Sequence, residues 1–296
     1  MSVTPELDAP RAARTDGFSD ALTISFGDLA AQVYGTVRLG LAGGAAASGL
    51  VMLFGGTEVA AVAAESAVLP QDVSSWDSIA AAGIDIETIE PLRAWKLSFA
   101  GESASLDLEI RAPGPPCMLE DSDPVAKLGG MSGFEQPVHV EGTVQLAGRR
   151  ATIAGHGQRG RSWGEPDWTR IERTRAVGAW FGEESLSVSA IAPAGCRSHD
   201  GEALSAVTFD RGEPGWARVQ DPHLSTTFDA SGCQRRASLE LWMTDDGPVR
   251  RAAGEVVCGT TLDLGRLRLD CSFMRWHYEG RTGVGRYDVL SKNADG

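Results

Sequence analysis

The residue types best suited to chemistry gather between Arg159 and Trp168, which reads Arg-Gly-Arg-Ser-Trp-Gly-Glu-Pro-Asp-Trp. Trp163 and Trp168 stand five residues apart, with Arg159, Arg161 and Asp167 beside them. Two indoles with fixed guanidinium donors can form one wall of a pocket for a planar or polyene-like ligand. A second cluster is Arg275-Trp-His-Tyr-Glu279. On a strand its side chains alternate, so Arg275, His277 and Glu279 share one face and Trp276 and Tyr278 the other. If the polar face is inner, the three form an acid/base row; if the aromatic face is inner, it is core or pocket wall. Double-bond chemistry on an apolar substrate needs a proton donor in a dry pocket, a carboxyl or a His. The candidates are His156, Asp167, His277, Glu279 and Asp288, with Tyr278 and Tyr287 as weaker donors. Asp167, His277 and Glu279 are the expected proton carriers. Arg161, Trp163, Trp168, His156 and Tyr278 are the expected substrate contacts.

The elements that must position these residues are strands. Ala94–Ala100 places Trp95, Leu97 and Phe99 on one face, and Ser105–Ala112 alternates Leu106, Leu108 and Ile110 with Asp107, Glu109 and Arg111. Such period-two runs mark half-buried strands. Similar stretches recur at Val138–Leu146, Ala151–His156, Ala176–Phe181, Leu186–Ala192, Leu267–Tyr278 and Gly285–Leu290, with Gly, Pro, Asp and Ser between them. The pattern predicts an all-β chain of barrels or sandwiches. Residues 74–90, with the Ala80–Ala82 run, predict one short helix. Residues 1–17 read as loose. The Pro-, Gly- and acid-rich segment from Ala112 to Pro137 reads as a connection between a domain of residues 18–130 and one of 131–292. The stretch from Gly142 to Trp168 reads as two strands joined by a turn and ending in a Gly-rich corner that presents Arg159, Arg161, Trp163, Asp167 and Trp168 close together.

The stretch from Gly142 to Trp168 resembles the carotenoid 1,2-hydratase (hydroxyneurosporene synthase)/AttH-like superfamily. Two further places carry the likeness: Pro91-Leu-Arg-Ala-Trp-Lys-Leu-Ser-Phe-Ala-Gly with Leu106-Asp-Leu-Glu-Ile, and Gly280-Arg-Thr-Gly-Val-Gly-Arg-Tyr-Asp288. Together they span roughly residues 90–165 and 270–290. The resemblance implies two lipocalin-like antiparallel barrels or sandwiches packed together, and an apolar pocket near the Arg-Ser-Trp-Gly corner. The family corner commonly reads Arg-Asp-His-Ser-Trp-Gly. Here Gly160 and Arg161 stand at the positions of the acid and the His. A guanidinium stays charged at any relevant pH and cannot serve as the general acid or base.

Composition sets the remaining bounds. A net charge of −13 disfavours nucleic acid and anionic membranes as partners. Seven Arg and three acids between Arg149 and Arg175 form a basic island in that acidic background. The longest apolar run, Leu39 to Phe54, is diluted by Gly, Ala and Ser and too short to span a bilayer. The N-terminus has no apolar signal core, so a cytoplasmic location is expected. Five Cys without Cys-x-x-Cys spacing are expected as buried small hydrophobes. His156, His199, His223 and His277 have no metal-ligand spacing, and no nucleotide fingerprint or nucleophile elbow is present. No cofactor or metal is expected. The function these residues suggest is a lyase, isomerase or cyclase acting on an apolar terpenoid or polyketide. The alternative is a non-catalytic carrier of such a ligand.

Overall fold

Alternation along the chain becomes strand after strand in the computed structural model, which describes residues 3–11, 15–43, 46–68, 73–196, 198–210, 212 and 215–293. The chain forms two units. The first holds β1 (Ser19–Asp28), β2 (Val33–Ala42), β3 (Ala46–Gly55), β4 (Glu58–Val68), β5 (Ile84–Glu90), β6 (Ala94–Ala100), β7 (Ala104–Arg111), β8 (Cys117–Leu119), β9 (Met131–Leu146) and β10 (Arg149–Gly164). They make one antiparallel sheet in the order β4-β3-β2-β1-β10-β9-β7-β6-β5, with β8 paired to β9 off that path. To the second unit belong β11 (Ile171–Trp180), β12 (Glu184–Pro193), β13 (Ala203–Asp210), β14 (Gly215–Arg218), β15 (Asp221–Phe228), β16 (Gln234–Trp242), β17 (Val249–Asp263), β18 (Leu267–Tyr278) and β19 (Arg281–Lys292). Their order is β14-β13-β12-β11-β19-β18-β17-β16-β15. Counted from its own first strand, each unit repeats one plan: four strands step outward, the next group steps in from the far edge, and the last strand joins them. The fold is all-β, two curled antiparallel sheets of lipocalin-like kind.

Each sheet curls around an apolar interior. Ile24, Phe26, Val37, Trp95, Leu97, Leu108 and Ile153 pack together in the first unit. Val177, Leu186, Leu239, Met274 and Trp276 do so in the second. Curling brings the first and last strands so close that only glycine fits at certain positions. A Cβ added to Gly157 would lie 2.2 Å from the Ser25 carbonyl oxygen, and one added to Gly285 would lie 2.1 Å from that of Gly178. The Gly-x-Gly signatures of β10 and β19 are therefore the same device used twice.

Several expectations need correction. Residues 74–90 form no α-helix: the chain makes one 3-10 turn, Trp76–Ser78, and then enters β5. Trp76 is buried, so an interior side chain anchors the turn. The segment 112–137 is not a plain connection, because it contains β8, the short helix α1 (Pro124–Gly129) and the start of β9. The units divide at Pro166, with residues 120–130 belonging to the second, whereas composition placed the boundary at 130. β9 and β10 pair with β7 and β1, and those long-range ladders have no local signature. The Gly-rich corner is no corner, since β10 runs straight through Arg-Ser-Trp-Gly. Residues 3–11 are not loose: Pro5–Leu7 make a 3-10 turn, and Leu7 and Asp8 are buried. Only Cys258 and Cys271 are buried, while Cys117, Cys196 and Cys233 are half-buried. Burial pushes the Cys258 thiol up to about 12, which leaves it a poor nucleophile. Among the described residues no helix is long and apolar enough to cross a membrane.

Candidate functional site

Alternation along β10 gives the strand two working faces. Ile153, Arg159, Arg161 and Trp163 point inward, while His156, Gln158 and Gly160 point outward. The inward guanidiniums are enclosed completely. Arg161 makes a two-pronged ion pair with Asp20, both bonds 2.8 Å, and its Nη1 also donates to the carbonyls of Leu7, Asp8 and Ala9. Its guanidinium lies 4.6 Å from the Trp76 ring and 5.9 Å from that of Trp163. Arg159 pairs through Nη2 with Asp8, and its guanidinium lies 4.3 Å from Trp95 and 5.4 Å from Phe134. Burial is the chief cause that pushes Arg159 down to about 10; the charge of Asp8 opposes it. The side chain stays charged at neutral pH. The expected substrate contact Arg161 is thus engaged by the chain itself, and Trp163 packs with Leu7, Leu92 and Phe134.

The outward face is built differently. His139 on β9 stands directly opposite His156, their rings 5.1 Å apart and edge to face. Two residues along, Gln158 donates to the Glu135 carboxylate at 2.6 Å. Glu135 lies opposite Gly160, and a Cβ at Gly160 would meet its Oε2 at 2.7 Å. The carboxylate thus reaches the place to which a side chain at 160 would project. Gly27 of β1 pairs with His156 on one side and Tyr34 of β2 on the other, and Tyr34 pairs with Phe54 of β3. One level along, Gln158 neighbours Ser25, whose hydroxyl lies 3.0 Å from that of Thr36, and Thr36 pairs with Met52. The first sheet therefore carries an outward floor with two halves. It is apolar on β2 and β3, where Tyr34, Met52 and Phe54 are fully enclosed, and polar on β9 and β10, where His139, His156, Gln158 and Glu135 are half-buried. His139 and Glu135 were not singled out from sequence, because register alone brings them to His156 and Gly160.

The remaining expected residues are dispersed. Trp168 lies in the second unit, half-buried against Val125, Ile171 and Ile191, so it forms no common wall with Trp163 within either unit. Asp167 is exposed, and hydrogen bonds from Thr169 hold its carboxyl below the usual range. A general acid needs the opposite shift. On β18 the aromatic face is the inner one. Trp276 is core, and Tyr278 packs against Phe181 with its hydroxyl accepting from Arg250 at 3.4 Å. Arg275, His277 and Glu279 are exposed. His277 is 3.1 Å from the Thr282 hydroxyl, and Glu279 accepts from the Arg251 amide. Asp167, His277 and Glu279 thus stand in open solvent and not in a dry pocket.

The second unit has its own enclosed ion cluster. Arg175 bonds Glu202, the Thr226 hydroxyl at 3.0 Å, the Tyr287 hydroxyl at 3.3 Å and the Leu224 carbonyl. Arg173 joins Glu202 at 2.8 Å. Burial pushes the Glu202 carboxyl up, but hydrogen bonds and charge from Arg173 and Arg175 outweigh it, and the net shift is below 4.5. A depressed folded-state value adds stability above the unfolded value and loses it as pH falls through the folded one. Urea midpoints are therefore expected to fall as pH drops below 4.5. The Glu202→Gln variant should be less stable at pH 7 and show a flatter acid limb. An unchanged acid limb in that variant would remove Glu202 from the account.

Comparison with known proteins places this geometry in context. A family model described as a domain of unknown function, DUF7064, matches residues 4–293. No curated protein matches the chain. Among solved structures, an AttH-like protein from Nitrosomonas europaea superposes with a TM-score of 0.68 at 9% identity, covering 93% of this chain and 92% of that one. Kievitone hydratase from Nectria haematococca gives 0.64 at 11%, covering 94% and 90%. CghA with Sch210972 gives 0.62 at 13%, covering 100% and 97%. At such identities the likeness is one of fold, across essentially the whole chain.

Proposed function

The chain belongs to the DUF7064 family, and we propose that it is a lyase- or isomerase-type enzyme acting on an apolar small molecule of terpenoid or polyketide class. The observation that carries this reading is the two-halved outward floor of the first sheet. A substrate would place its reacting atoms beside the half-buried His156 and Glu135, with its apolar body directed toward the enclosed Tyr34, Met52 and Phe54. One of these groups takes a proton from carbon while the other returns one. Return at a different carbon is an isomerisation; delivery to a departing hydroxyl releases water and leaves a double bond. Gln158 orients the Glu135 carboxylate, and His139 sets the tilt of the His156 ring. Support also comes from the shared fold, since one neighbour is named as a hydratase and another was solved with a small molecule. The proton carriers expected from sequence, Asp167, His277 and Glu279, are replaced in this reading by His156 and Glu135, because those two are half-buried beside an apolar surface whereas the others stand in open solvent.

A test starts from terpenoid and polyketide panels, followed by mass spectrometry for isomers or for gain or loss of one water. With a turned-over substrate in hand, His156→Ala and Glu135→Gln are each expected to lower kcat by about 10²–10⁴-fold. KM and the far-UV spectrum should change little. Undiminished turnover in both variants would defeat the assignment. The carrier reading has its own support, since Gly160 and Arg161 replace the acid and the His of the resembled corner. A carrier would bind close analogues with similar affinity and release them unchanged.

A further inference from the structure

The most unusual surroundings of any charged group in the first unit belong to Arg159. A guanidinium has five N–H donors. Nη2 of Arg159 meets Asp8, yet Nε and Nη1 are fully enclosed and have no hydrogen-bond partner. Unsatisfied donors at 0% exposure cost free energy and call for a reason. Opposite Arg159 on β9 stands Gln136, whose Oε1 is likewise buried and unpartnered.

The seat around the Asp8 carboxylate is made by the sheet. Besides Arg159, its Oδ2 accepts from the Leu92 amide at 2.7 Å and from the Trp95 indole at 3.2 Å. Leu92 holds φ at +62°, a left-handed conformation that a branched side chain rarely adopts. The turn between β5 and β6 keeps this strain, and it is Leu92 that donates its amide to the seat. Three donors from three places converge on one carboxylate, inside a box with Trp95 and Phe134 against the guanidinium. The carboxylate itself comes from outside the sheet, on the strap of residues 4–11. That strap is held mainly by Arg161 on the Leu7, Asp8 and Ala9 carbonyls, by the Arg11 amide on Asp20 at 2.7 Å, and by Leu7 packing.

We infer that this seat is a binding site for the carboxylate of a small aromatic or otherwise apolar acid, and that Asp8 is its built-in occupant. The ligand's carboxylate takes the place of Asp8 when the strap lifts. Its second oxygen engages the Arg159 donors that Asp8 leaves unused, and its apolar body lies against Trp95 and Phe134. Because Asp8 competes, the unmodified protein binds such an acid with an affinity reduced by the fraction of time the strap is open. The site is on the inner face of β10, apart from the floor of the proposed reaction, and does not depend on that reading.

The test uses the full chain and two probes, 3-phenylpropionate and its neutral amide, 3-phenylpropanamide, followed by calorimetry and tryptophan fluorescence. Asp8→Ala is expected to bind the acid about tenfold or more tightly than the unmodified protein does. The amide should bind neither. Adding Arg159→Gln to Asp8→Ala should abolish the gain. An Asp8→Ala protein that melts cooperatively yet binds acid and amide alike overturns the proposal. Should that variant fail to fold, hydrogen exchange on the unmodified protein decides. The acid, and not the amide, should speed exchange of the Leu7 and Leu92 amides, and equal exchange with both probes overturns it. Binding is read here without turnover, so a missing catalytic activity leaves this result standing, and the converse holds.

Discussion

Replacing Asp20 with Ala is expected to destabilise the protein by about 3–5 kcal/mol, the usual result of breaking a fully buried ion pair. Both partners have side chains at 0% exposure, so no water can take over the lost bonds. Without Asp20 the Arg161 guanidinium remains between Trp76 and Trp163 with only backbone carbonyls to answer its charge, and the Arg11 amide loses its acceptor. Urea unfolding followed by tryptophan emission should show a large fall in midpoint with little change in slope. A loss below about 1 kcal/mol would mean that the pair is not what holds the strap. The paired change Asp20→Leu with Arg161→Met should recover much of the loss, because a buried ion pair is replaceable by apolar packing of similar volume. Arg161→Ala should likewise unfold easily. Lost turnover in that variant would not by itself make Arg161 a substrate contact.

A loss of about 3 kcal/mol is also expected for Gly157→Ala, and independently for Gly285→Ala, each at the steep end of overpacking costs. The added methyl would sit 2.2 Å from the Ser25 carbonyl oxygen in one case and 2.1 Å from that of Gly178 in the other. No rotamer relieves a Cβ. Either the strands part and give up ladder bonds, or the curl opens. Gly17→Ala is the control: a Cβ there meets nothing within 4 Å. Melting temperatures of the three variants decide the matter. Equal values would mean that curling does not need its glycines.

Much of the architecture is legible in local pattern. The faces of β6 and β7 follow from Trp95, Leu97 and Phe99 and from Leu106, Leu108 and Ile110, because alternation is a property of a few neighbouring residues. What fails is whatever depends on distant pairing. Reading Arg159 to Trp163 as a corner missed that these residues keep phase with Ile153 along one strand, and the phase was visible. Asp20 also keeps phase with Leu22, Ile24 and Phe26, so a carboxylate on an apolar face was a readable sign of a buried pair. Asp8 gives no such sign, since no periodicity surrounds it. On the outward floor His156 was a candidate from sequence, but His139 and Glu135 meet it only through the register of β9 against β10.

The place of the last strand in each sheet governs how the chain can be made. Ser19 waits for Gly164, and Arg173 waits for Ser291. Until β10 is synthesised, β1–β4 and β5–β9 are separate ribbons, each with a raw edge where β10 belongs. The same holds for β11–β14 and β15–β18 before β19 arrives. Such closure by remote partners is slow and leaves sticky intermediates. A nascent chain stalled just short of β19 would therefore be more aggregation-prone than its few missing residues suggest, and would be an early client for chaperones.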